Sequence, residues 1–150
     1  MSAGLLHLHL IAAISWIGGA IFMFILGFSL RDKEGQEAVY PRIGPIYGYF
    51  EVIALIILLM TGYMMIDQNG LLKILFSNIS NEVIDALRIK LYIVAVIIVM
   101  TVIHMTISLL TITKEKTLIQ KLLSRGSSMG ILVLNLWVLH YAIILRDILN

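Results

Sequence analysis

Cysteine is absent from this chain, and charge is scarce: only 13% of residues are Asp, Glu, Lys or Arg. Without thiols there is no disulfide, no iron–sulfur cluster, no thiolate zinc or copper site and no C-x-x-C-H haem attachment. Any haem must be held non-covalently, by His or Met. A soluble domain carries about 25% charged residues. The shortage of charge here, with 60% hydrophobic residues and a mean hydropathy of +0.99, therefore indicates an integral membrane protein. The net charge of +2 is small and no basic cluster interleaves with aromatics, so no nucleic acid is expected as a partner. Also missing are a nucleophile–base arrangement, a phosphate loop, a hydrolase-type carboxylate pair and any internal repeat.

What is present is long apolar runs. The N-terminus has no positively charged n-region, and its apolar run is too long for a cleaved signal, so it reads as a retained first span. Hydropathy predicts an all-α protein, a four-transmembrane-helix bundle forming a single integral membrane domain over residues 1–150. The spans run over 3–30, 43–66, 87–113 and 127–145, each near or above the ~20 residues that cross hydrocarbon. The first loop, 31–42, ends near Pro41, which favours a helix restart. Gln68-Asn69-Gly70 reads as a turn, Leu71–Phe76 as a short interfacial segment, and Ser80 or Asn81 as a cap for the third helix. Gly126 followed by Ser127 and Ser128 reads as a stop and a new cap.

Loops one and three carry Arg31, Lys33, Arg42, Lys114, Lys116, Lys121 and Arg125. The opposite face has Lys73, Arg88, Lys90 and Arg146. The positive-inside rule then places both termini outside, on the periplasmic side of a bacterial inner membrane.

Four histidines stand out against this hydrocarbon: His7 and His9 in the first span, His104 in the third and His140 in the fourth. An unpaired imidazole in a bilayer is costly, and a metal, often haem iron, is a partner that satisfies two of them. At ~1.5 Å per residue, His9 lies ~9 Å and His140 ~10 Å from the same face, so the two can act as axial ligands at one height. His104 belongs to the opposite half. His7 and His9 are roughly 200° apart around the helix and cannot both face one ligand. His9 shares a stripe with Ala12, Ala13 and Trp16, and His7 with Ile11, Ile14 and Gly18. His9 is preferred, with His7 or His104 as alternates. Either His7 or His9 can instead cap the helix end at headgroup level. Arg88, Lys90 and Arg146, at the outer ends of spans three and four, suit haem propionates, or act as snorkelling topology residues.

Glu51 lies well inside span two, where a carboxylate is either neutral or paired. Its depth matches that of His104, which makes Glu51 and His104 a candidate hydrogen-bonded pair for handling protons. Tyr47, Tyr49 and Tyr63 add polar groups to the same span. Eight methionines, among them Met60, Met64, Met65, Met100 and Met105, allow a copper reading, although Met at helical spacing usually fills core.

The segment His9-Leu-Ile-Ala-Ala-Ile-Ser-Trp16-Ile-Gly-Gly19 resembles the first-helix signature of CopD-like and HemJ-like membrane proteins. Arg88-Ile-Lys90-Leu-Tyr-Ile-Val resembles the start of that family's third helix, and Thr61-Gly62 is similar to a step late in its second. The resemblance implies a four-helix fold holding b-type haem or handling copper, with His9 as the first-helix histidine and Lys90 as the third-helix lysine. The chain departs from the HemJ-like pattern at Gly27-Phe-Ser-Leu-Arg-Asp32 and in the spacing of His104 from Lys90. A divergent haem relative is thus expected rather than a protoporphyrinogen oxidase.

The expected function is that of a membrane b-type cytochrome, an oxidoreductase passing electrons between a quinone or porphyrinogen and a redox partner protein. His9 and His140 would ligate haem b, with Trp16 beside His9. The rivals are a CopD-like copper-handling protein and a non-catalytic packing subunit of a respiratory complex. A homo-oligomer fits either setting.

Overall fold

The computed structural model describes residues 2–110 and 117–149, without the side chains of Lys121 and Leu149. The expected positions Lys114, Lys116 and 111–113 of the third span lie outside the described residues, as does the Lys121 side chain. The fold is all-α: α1 (Ala3–Ser29), α2 (Lys33–Gln68), the short α3 (Leu71–Leu75), α4 (Glu82–Leu110) and α5 (Leu118–Leu149). Among the described residues, α1, α2, α4 and α5 are long and apolar enough to cross a membrane.

Local signals set most of the helix ends. Ser2 caps α1 by accepting from the Leu5 amide (3.2 Å). Gly70 adopts the left-handed conformation (φ 66°) just after α2, as the Gln68-Asn69-Gly70 turn requires. Asn81, rather than Ser80, caps α4, accepting from the Ile84 amide at 2.8 Å. Ser80 donates instead to the Asp85 carboxylate.

Two expected boundaries are corrected. The second helix begins at Lys33, not at 43, because Asp32 caps it by accepting from the Gly35 amide at 2.7 Å. Pro41 and Pro45 therefore lie inside α2 rather than ahead of it. They sit four apart, on one face, so the N–H groups they remove weaken a single stripe of the ladder instead of breaking the helix all round. The fourth long helix begins at Leu118, not at 127, and Gly126, Ser127 and Ser128 are interior. The reason is a reciprocal capping box that the expectation overlooked. The Thr117 amide donates to Gln120 Oε1 (3.0 Å), and the Gln120 amide donates to Thr117 Oγ1 (3.3 Å).

The chain divides into two compact units, Met1–Ser77 and Asn78–Asn150, each built on one helical hairpin. In the first, α1 packs on α2. Ala12 and Trp16 are each only 4% exposed, whereas Ile11 (61%) and Ile14 (70%) on the His7 stripe face outward. The α2 face carries Glu51, Ala54 and Thr61, all buried. In the second, α4 packs on α5 through Ile93, Ile97, Thr101 and Ile107 on one side and Ser127, Ile131 and Asn135 on the other. The four-residue spacing of Ile93, Ile97 and Thr101 puts them on one ridge, the geometry that lets two helices interdigitate.

Candidate functional site

His9 is tied across the first hairpin. Its Nδ1 lies 2.7 Å from Thr61 Oγ1. The Thr61 hydroxyl spends its own hydrogen on helix carbonyls, Ile57 at 2.6 Å and Leu58 at 3.2 Å. Oγ1 must therefore accept, and His9 Nδ1 must carry the proton. That leaves Nε2 as the basic nitrogen of the ring. The ring edge packs on Gly62, where a Cβ would stand 3.4 Å from His9 Cε1. The expected His9–Ala12–Trp16 stripe is the one turned toward α2.

His7 does something simpler. Its Nδ1 lies 2.6 Å from the Ala3 carbonyl, one turn back on its own exposed helix end. It binds its own backbone, while Ser2 caps the helix end.

His104 repeats the His9 arrangement in the second hairpin. Its Nδ1 lies 3.2 Å from the Ser124 carbonyl and 3.2 Å from Ser127 Oγ. Because a carbonyl only accepts, Nδ1 carries the proton here too, and Nε2 is again the basic nitrogen. Ser127 in turn donates to the Ser124 carbonyl at 3.1 Å. Ser127 was expected to cap a helix, but it sits mid-helix and supports an imidazole.

His140 is exposed, on α5. Its ring stands edge-on to Tyr141, with centroids 5.9 Å apart and planes at 71°, and the two border a recess with Trp137. Arg88 pairs with Asp85 at 3.2 Å, so part of its charge is already matched. Lys90 is half-buried on α4, and Arg146 is exposed in the last turn of α5.

Glu51 is buried, with Tyr47 one helical turn earlier on α2. Tyr49 and Tyr63, expected as further polar groups of this span, face outward. The candidate thioether Met100 lies against Gly130 of α5, close enough that a Cβ there would collide with its methyl. Met100 packs there against α5. Among the described residues no group of three or more His, Asp or Glu side chains gathers to hold a bare metal ion.

Three contributors went unrecognised as such in the sequence: Thr61, Ser127 and Gly19. The available signal for Thr61 was a hydroxyl seven residues, close to two turns, beyond Ala54, which places both on one stripe of α2. Comparison with protein-family models, with curated proteins and with solved structures finds no match to this chain.

Proposed function

We propose that the chain is a membrane b-type haem protein that transfers electrons, with His9 as an axial ligand. The observation that carries this reading is the His9–Thr61 hydrogen bond. Metal-ligating histidines almost always donate their second ring nitrogen to an oxygen acceptor, which fixes the tautomer and raises the basicity of the ligating nitrogen. Thr61 does this for His9, and the small Gly62 lets the ring lie close to α2. The residues fit the group.

Haem b, held by His9 and by the His140 expected from the sequence, would supply a one-electron couple suited to electron transfer. Thr61 holds the ring in its ligating tautomer, and the buried Trp16 keeps water from the same stripe. Lys90 and Arg146 are the cations for the propionates, with Arg88 contributing less because Asp85 already engages it. The setting is a bacterial inner membrane with both termini periplasmic, and the electron partners are a quinone and a redox protein.

The test is an oxidised and a dithionite-reduced spectrum of detergent-purified protein expressed with ample haem. A b-type α band that disappears in His9→Ala and in His140→Ala is expected. If the wild type has no Soret absorbance, the haem reading is wrong. If His9→Ala only lowers thermal stability and leaves the spectrum intact, His9 is interhelical glue.

A further inference from the structure

We infer that Glu51, seated against Tyr47, is a proton-binding site inside the α1–α2 unit: a carboxyl that takes up and releases a proton within the apolar part of the span. This goes beyond the haem reading and does not rest on it.

Glu51 is 7% exposed, on the α2 face that also buries Ala54 and Thr61. Tyr47 lies one turn away on α2, and among the described residues no Lys or Arg pairs with Glu51. The helices packed against α2 in this unit offer no counter-charge. No charged side chain lies on α1, and its titratable His9 is engaged at Thr61, about 15 Å further along α2. The α3 helix carries Lys73, beyond the C-terminal end of α2. A permanently ionised carboxylate in such surroundings is costly, so this group is built to exchange a proton.

The seat itself is specific. A Cβ on Gly19 would stand 3.0 Å from Tyr47 Cε2 and 3.8 Å from the Tyr47 hydroxyl. Gly19 is the notch in α1 that admits this ring, one helical turn from Glu51 on α2. Proton uptake adds one proton to a carboxylate oxygen and breaks no other bond.

Dicyclohexylcarbodiimide tests this on the purified full chain in detergent. It adds to a protonated carboxyl, and the O-acylisourea formed rearranges to a stable N-acylurea. Peptide mapping should place the adduct on Glu51, with a rate that falls as pH rises. Labelling should be lost in Glu51→Gln, and a water-soluble carbodiimide should not reach the site. Wild-type protein unlabelled at Glu51 even under acidic conditions would overturn the proposal. So would a sharp loss of melting temperature in Glu51→Gln, the signature of a broken buried ion pair. Should Glu51→Gln fail to fold, the wild-type map decides alone. The haem spectrum plays no part in either readout.

Discussion

The two hairpins solve one problem in different ways. Each holds an imidazole on one helix by its Nδ1 proton: His9 to Thr61 in the first, His104 to Ser124 and Ser127 in the second. The first does so at 2.7 Å in an interface of small residues, Ala12, Ala54 and Gly62, interrupted by Trp16 and the acid Glu51. The second shares the proton between two longer contacts in an interface dominated by isoleucine. Small residues bring backbones close and leave polar groups to fix the geometry, whereas branched aliphatics fill space and tolerate a looser polar contact. The difference teaches where precision was needed. The first hairpin holds Glu51 and Thr61 among small residues, and the second buries Thr101, Ser127 and Asn135 among isoleucines.

The histidines break the comparison most sharply. His104→Ala is expected to keep the b-type spectrum that His9→Ala loses; equal loss in both variants would make the two imidazoles equivalent ligands and end the distinction.

The buried hydroxyls come next. Thr61→Val strands the His9 Nδ1–H and should cost about 1–3 kcal/mol, with haem affinity falling on the order of 10–100-fold, while Thr61→Ser restores both. Thr101 is the counterpart. Its hydroxyl is buried and has no hydrogen-bond partner among the described residues. Thr101→Val should therefore be neutral or stabilise by up to ~1 kcal/mol. Thermal melts and haem titrations in the same detergent check both, and a stabilising Thr61→Val would contradict the His9–Thr61 argument.

The glycines give the smallest effect. Alanine in place of glycine inside a helix gains about 1 kcal/mol of propensity. At Gly130 the obstacle is the mobile tip of Met100, so Gly130→Ala should keep most of that gain. At Gly19 the obstacle is the ring of Tyr47, so Gly19→Ala should lose the gain and cost about 1 kcal/mol more. Matching melting temperatures for the two variants would show that Tyr47 is not held in place.

Legibility followed the kind of interaction. The His9, Ala12, Trp16 stripe could be read directly, because helical phase fixes which side chains share a face. The start of α5 was readable too, in Thr117 and Gln120, but the more conspicuous Gly126-Ser127-Ser128 drew the boundary instead. Glycine in an apolar helix is tolerated when a neighbour packs on it, as Met100 does on Gly130. That neighbour is invisible in one dimension. Thr61 and Ser127 were hidden for a related reason: a lone hydroxyl has no distinctive local pattern, and its acceptor role appears only once a second helix brings a donor.

By itself, then, the sequence determined the all-α class, the four long apolar helices, the cap at Asn81 and the face of α1 shared by His9, Ala12 and Trp16. All of these depend on hydrophobicity and period, which are local. Only the tertiary structure decided which oxygen holds each ring nitrogen, that the Tyr47 ring enters the Gly19 notch, and that Met100 lies against Gly130. Those are contacts between helices, and their geometry is set by the close approach of two surfaces that no spacing along one chain can specify.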